Sequence, residues 1–171
     1  MSEKDTTASS VPTPAPSPME LVLQFHHTYS VPIRPFSDPT LDYERMNMRM
    51  SLIAEEFAEL MGAVYGPRAR AIIEAATAEA VAADEGERDV IEAADALADL
   101  VYVVYGMAIE SGMNLDSVLA EVQASNLSKL MPDGFVKLRE DGKVLKGPNF
   151  FQPNIARGLG LESPTDSGEA D

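Results

Sequence analysis

The stretch from Ile91 to Ile109 constrains this chain more than any other, because it is apolar nearly all round at helical spacing and yet carries three acids in one line. At about 100° per residue, Glu92, Asp95 and Asp99 fall at i, i+3 and i+7 and share a narrow stripe that continues through Tyr102 and Gly106. Ile91, Ala94, Leu97, Ala98, Leu100, Val101, Val103, Val104 and Ala108 cover the rest of the cylinder. A helix of that kind normally lies in a core. An ionised carboxylate does not stay in a core alone: it pairs, loses its charge or holds a metal. Three aligned acids on such a helix are therefore expected to share a cation.

The remaining composition narrows what that cation can serve. The 171 residues suffice for about one domain, and a 45% hydrophobic content is ample for a core. Without cysteine the chain has neither disulfides nor thiolate metal sites. No N-terminal stretch joins a basic region to an apolar run, so no secretory signal is read. The apolar uncharged run Leu100 to Ile109 falls far short of the ~20 residues of a membrane span. The expectation is a cytoplasmic protein with no membrane partner. A formal net charge of −15 argues against a nucleic-acid polymer, whose phosphates call for basic patches. The charge is uneven, with nine acids and one base from Glu74 to Asp99, against five bases and three acids from Asn126 to Pro148. That asymmetry would suit a small anion that arrives with its own divalent cation, although solvated surface explains most such patterns.

Taken in order, residues 1–18 are rich in Ser, Thr, Pro and Ala and read as a disordered leader, as do residues 161–171 as a tail; 19–160 is the domain. Ser17 as N-cap and Pro18 at the first helical position open a helix that ends near Tyr29. Pro32 to Pro39 is an extended loop. A second helix is expected from Leu41 to Tyr65, with Met46, Met50, Ile53, Phe57, Leu60 and Val64 as its core stripe. A third, alanine-rich and peripheral, spans Arg68 to Ala83, and Asp84-Glu85-Gly86 separates it from the acidic helix. Asn114 caps a fifth helix reaching about Leu130. Val136 to Leu145 alternates around an Asp-Gly turn, the signal of a short β-hairpin, and one turn of helix is expected near Ile155. The fold class expected is all-α: a four- to five-helix bundle with a short C-terminal β-hairpin.

The second helix supplies a further acidic group, Glu55-Glu56-x-x-Glu59, which taken alone reads as a solvated face. Packed antiparallel against Glu92, Asp95 and Asp99, it would assemble six carboxylates. Oxygen-only ligation suits a hard ion, Mg2+ or Mn2+ as its substitute, with positions left for water and substrate. A ferritin-like di-iron site would need Glu-x-x-His pairs, and neither His26 nor His27 follows a Glu by three. Asn126 and Lys129 lie one turn apart at the end of the fifth helix, followed by Arg139, Lys143 and Lys146. Lysine is a point charge suited to phosphate. Arg139 reads better as a solubilising edge charge.

Together these residues are a resemblance. Glu55-Glu56-x-x-Glu59 followed by Glu92-x-x-Asp95 is similar to the EExxE…ExxD signature of the all-α NTP pyrophosphatases, which include MazG, the dimeric dUTPases and phosphoribosyl-ATP pyrophosphohydrolase. Asn126-Leu-Ser-Lys129 looks like that family's downstream Asn/Lys element. Gln24 to Pro32 and Asp141 to Asn149 resemble a MazG-like bacterial branch. The long segment between the two acidic motifs departs from the pattern.

The resemblance implies Mg2+-dependent hydrolysis of a nucleoside triphosphate to monophosphate and pyrophosphate, in a MazG-like bundle that forms a homodimer or homotetramer. Glu55, Glu56, Glu59, Glu92 and Asp95 would bind metal, with Glu56 also the base that deprotonates the attacking water. Lys129, Lys143 and Lys146 would take the pyrophosphate. Asp99 is added on geometry, as a further ligand or as an acceptor orienting Lys129. Gln24, Phe25 and Asn47 are candidate lining residues, core packing being the plainer role for Phe25. The expected substrate is dUTP, with phosphoribosyl-ATP or a broad range of triphosphates as alternatives. A metal-binding helical scaffold without turnover is the non-enzymatic one.

Overall fold

The structure is a computed structural model in which residues 15–137 and 144–162 are described. It contains six helices, α1 (Pro18–Thr28), α2 (Met46–Tyr65), α3 (Pro67–Ala82), α4 (Val90–Glu110), α5 (Leu115–Leu127) and α6 (Ile155–Gly158). The protein is all-α, and no strand is seen among the described residues. The expected hairpin is not seen either: residues 138–143, including Arg139, Lys143 and the Asp-Gly turn, lie outside them. What is described there is one backbone bond, Leu145 N–H to the Lys137 carbonyl at 2.8 Å.

α1, α5 and α6 belong to one compact unit, and α2, α3 and α4 to another. In the first unit, α1 starts as its sequence indicates. The Ser17 hydroxyl accepts from Glu20 N–H at 3.3 Å, and the Glu20 carboxylate returns to Ser17 N–H at 2.7 Å, a reciprocal pair that satisfies two otherwise orphaned groups. The Ser17 N–H, and after it the Ser17 hydroxyl at 2.8 Å, hold the Glu20 carboxyl below its ordinary pKa. α1 ends in a reversal closed by Val31 N–H to the His26 carbonyl (2.9 Å) and Ser30 N–H to that of His27 (3.4 Å). Ser30 supplies the left-handed residue this motif requires, φ 51°, a conformation glycine adopts more cheaply. The His26 ring lies 3.1 Å from the Pro32 carbonyl oxygen and ties down the chain beyond the turn.

α1 packs on α5, and Gln123 Nε2 crosses between them to the Leu21 carbonyl (2.9 Å) and to Gln24 Oε1 (3.0 Å). α6 is fixed to α5 by a bidentate pair, in which Arg157 Nε and Nη2 each meet one Glu121 carboxylate oxygen at 2.7 Å. Arg157 accordingly holds the Glu121 carboxyl below its usual range.

In the second unit, α2 begins five residues later than the pattern indicates. The Thr40 hydroxyl takes the Asp42 N–H at 3.0 Å and Tyr43 N–H bonds back to Leu41, so residues 40–45 form turns in place of the first helical turn. Gly66, at φ 95°, is the single residue between α2 and α3, and Pro67 starts α3 with its fixed φ and no need of a partner for N–H. The two helices pack through small residues: Ala58 is buried, and Arg70 lies so close over Gly62 that a Cβ there would stand 3.1 Å from Arg70 Cβ. Asp84, Gly86 and Arg88 then lock the connection to α4. Arg88 meets both Asp84 oxygens at 2.8 and 2.9 Å, Gly86 N–H adds a third bond, and the Asp84 carboxyl is lowered to about 2, chiefly by Arg88.

The apolar pattern of α2 and α4 was expected to mark the core, and within this chain it does not. Neither α2 nor α3 packs along α4 among the described residues. Ile91 is 81% exposed, Val101 58% and Ile109 75%, while Ala108 is buried. The α2 stripe through Met50, Phe57 and Val64 is likewise about half exposed. Periodicity marks a helical face as apolar and does not show what packs on it.

Candidate active site

The acidic groups occupy two helices of one unit. On α2, Glu55, Glu56 and Glu59 are all exposed along consecutive turns. Glu59 is drawn toward α3, where Arg70 Nη2 stands 3.2 Å from its Oε1 while Arg70 Nε bonds Glu74 at 2.7 Å. Flanking acids raise the pKa of that guanidinium, the Glu74 hydrogen bond most of all. Arg70 was not among the expected site residues. The signal that could have found it is the Arg70–Glu74 spacing of four on α3, but the turn at Gly66 that folds α3 back onto α2 was needed to point it at Glu59.

On α4, Asp89 caps the helix by accepting from the N–H groups of Ile91 and Glu92 at 2.9 and 3.0 Å. Its capping fixes the rotation of the first turn, so Glu92, Asp95 and Asp99 emerge on one stripe, as their spacing requires, and all three are exposed. They are solvated rather than sunk in a core, so burial alone does not force them to share a cation. All ligand candidates are carboxylate oxygens, the donor chemistry of a hard divalent ion. Among the described residues, however, no three acids converge closely enough to hold one. The expected antiparallel assembly of six carboxylates is not seen among the described residues: the acids lie along two separate exposed ladders, one on α2 and one on α4.

The second cluster lies in the other unit. Lys129 Nζ donates to Asn126 Oδ1 at 2.7 Å, which holds the two side chains together at the end of α5. Lys146 is exposed and its ammonium sits 4.3 Å over the Phe150 ring, a cation–π contact that restrains it. Gly147, next in the chain, donates its N–H to the Lys129 carbonyl at 2.9 Å, so the backbone brings the Lys146 segment against that of Lys129. Lys143 lies outside the described residues.

The candidate lining residues separate. Gln24 is engaged with Gln123, and Phe25 packs on Tyr29 with ring centroids 4.6 Å apart, the structural role its helix face suggested. Asn47 is exposed on the first turn of α2. Tyr29, not foreseen, is buried and donates its hydroxyl to the Asn126 carbonyl at 2.7 Å, tying α1 to the Asn/Lys cluster.

Residues 22–126 match the family model of phosphoribosyl-ATP pyrophosphohydrolase, a span covering more than half of the chain and every acidic residue of the two ladders. The chain belongs to that family. Its fold agrees with a crystal structure of a presumed NTP pyrophosphohydrolase from Exiguobacterium sp. 255-15, at a TM-score of 0.64 and 27% identity, over 84% of this chain and 94% of that one. A comparison with curated proteins gives no match. Family and fold together support an all-α NTP pyrophosphohydrolase of the phosphoribosyl-ATP and MazG-like kind. No helix among the described residues is long and apolar enough to cross a membrane.

Proposed function

We propose that this pyrophosphohydrolase cleaves dUTP to dUMP and pyrophosphate with Mg2+, Mn2+ serving as substitute. The observation that carries the reaction type is the pair of solvent-open carboxylate ladders within a family-matched helical frame. Glu55, Glu56 and Glu59 with Glu92, Asp95 and Asp99 would hold the ion. When bound, such an ion neutralises phosphate charge and lowers the pKa of its water. Glu56 takes the proton of the water that attacks the α-phosphorus. The new bond is from water oxygen to phosphorus; the bond broken is from phosphorus to the α–β bridging oxygen, which leaves with pyrophosphate. Lys129, steadied by Asn126, and Lys146 with Lys143 offset the charge that gathers on the leaving group.

The choice of dUTP rests on the likeness of Gln24 to Pro32 and Asp141 to Asn149 to a MazG-like bacterial branch. Phosphoribosyl-ATP is a second reading, favoured by the family model itself. We also propose a cytoplasmic homodimer or homotetramer; the exposed apolar faces of α2 and α4 support the assembly, as surfaces that a second copy would cover.

A panel of dUTP, the other canonical and deoxy triphosphates and phosphoribosyl-ATP, each with Mg2+, tests the substrate. A kcat/KM for dUTP far above the rest supports the first reading, and the same preference for phosphoribosyl-ATP replaces it with the second. Divalent-ion binding without turnover of any substrate would leave a metal-binding scaffold.

A further inference from the structure

The last turn of α5 is tightened. Ser128, Lys129 and Leu130 N–H groups reach back three residues, to Ser125 (3.2 Å), Asn126 (3.3 Å) and Leu127 (3.5 Å), Ser128 N–H being shared with the Ala124 carbonyl at 3.1 Å. Such bonds are long and leave the terminal carbonyls with capacity to spare. Distant segments use that capacity. Tyr29 Oη lies 2.7 Å from the Asn126 carbonyl oxygen and 3.0 Å from that of Leu127, and Gly147 N–H takes the Lys129 carbonyl. Ser125 donates to the Phe151 carbonyl at 2.7 Å, while Phe151 N–H donates to Ser128 Oγ at 3.1 Å. The backbone from which Asn126 and Lys129 project is therefore held from two sides.

Tyr29 is 1% exposed, and it is the largest fully buried side chain among the described residues. Its phenol has a single hydrogen, and the shorter contact gives it to Asn126, 97 residues along the chain. Burial keeps the phenol pKa above its ordinary value, so the group stays a donor throughout the neutral range. Packing alone would be met by phenylalanine. The hydroxyl is aimed at the last carbonyls of α5, and closest to that of Asn126, the residue whose side chain holds Lys129.

We propose that Tyr29 is a positioning residue for the phosphate end of the substrate, its hydroxyl setting the Asn126 peptide so that Asn126 and Lys129 meet the departing pyrophosphate together. This deepens the pyrophosphohydrolase reading and rests on it.

The test is Tyr29→Phe, which keeps the ring and removes one oxygen. Calorimetric titration with inorganic pyrophosphate and Mg2+ should show affinity about 3- to 10-fold weaker, the worth of one neutral hydrogen bond. KM should rise with it, while kcat moves much less. In a Lys129→Ala background the same substitution should change pyrophosphate affinity little, because the group it acts through is gone. Ser128→Ala, which removes the Oγ that takes the Phe151 N–H, loosens the same backbone at the cost of one hydrogen bond; it should lower pyrophosphate affinity in the same way and covers the case of a Tyr29→Phe protein that folds poorly. Unchanged affinity in Tyr29→Phe, or an equal loss with Lys129 already removed, overturns the proposal and leaves the enzyme reading intact. A wild-type protein that neither binds pyrophosphate nor hydrolyses a nucleotide overturns both.

Discussion

Gly147→Ala isolates how tightly the Lys146 segment is seated on the end of α5. A Cβ at Gly147 would stand under 3.0 Å from the Leu130 carbonyl oxygen and 2.9 Å from that of Lys129, distances that real Cβ atoms essentially never show. Both obstacles are backbone, so no side chain can rotate away and the segment itself has to lift. Lifting stretches the Gly147 N–H to Lys129 bond of 2.9 Å and pulls on the Ser125 and Ser128 bonds to Phe151. Overpacking costs about 1–3 kcal/mol, and a lost hydrogen bond adds about 1 kcal/mol, for a total of roughly 2–4 kcal/mol. For a chain of this size that corresponds to a fall in melting temperature of about 5–15 °C. Gly62→Ala is the graded comparison. There the nearest atom is Arg70 Cβ at 3.1 Å, a side chain that can yield by a few tenths of an ångström. The gain of about 0.5–1 kcal/mol from replacing a mid-helix glycine offsets that cost. Thermal unfolding followed by circular dichroism should place Gly147→Ala well below wild type and Gly62→Ala near it. Equal effects, or the reverse order, would refute the argument that the loop is seated by backbone contact.

Other perturbations read different parts of the molecule. Glu56→Ala removes an exposed side chain and the proposed base, so turnover should fall by about 10²–10⁴-fold with the far-UV spectrum unchanged; Asp99→Ala should weaken divalent-ion affinity, and if neither affinity nor rate moves Asp99 is not a ligand. Ser30→Gly relieves the left-handed backbone at φ 51° and should raise stability by about 1 kcal/mol in chemical denaturation. The Asp84 carboxyl, lowered to about 2, should titrate near that value by NMR and return toward the ordinary carboxylate range in Arg88→Ala. Because its folded pKa is depressed, its contribution to stability is present above the ordinary carboxylate pKa and is lost as pH falls from near 4 through about 2.

Local structure was legible in this sequence because its signals are local. Ser17-Pro18, Asn114 and the turn near Ile155 each sit beside the groups they cap, and α1, α5 and α6 lie close to where those residues indicate. The start of α2 is not legible because Thr40 competes for a backbone N–H with its side chain, which helical periodicity does not register. Burial was the larger error. Phe57, Leu97 and Val101 look like core residues at their spacing, yet each is about half exposed here. The acidic stripes were correctly placed on their helices, since i, i+3 and i+7 fix rotation. The partners that modulate them were invisible: Arg70 reaches Glu59 only because Gly66 folds α3 back, and Tyr29 reaches Asn126 only because α1 packs on α5.

The proposed reaction is cleavage between the α- and β-phosphates with the acids of α2 and α4 holding the ion. Hydrolysis of dUTP or phosphoribosyl-ATP with Mg2+, run in 18O-labelled water and resolved by 31P NMR, tests it most directly. Pyrophosphate should be released unlabelled and the label should enter the monophosphate product, with Glu56→Ala slower by about 10²–10⁴-fold. Orthophosphate as the first product, or label in the pyrophosphate, would contradict it.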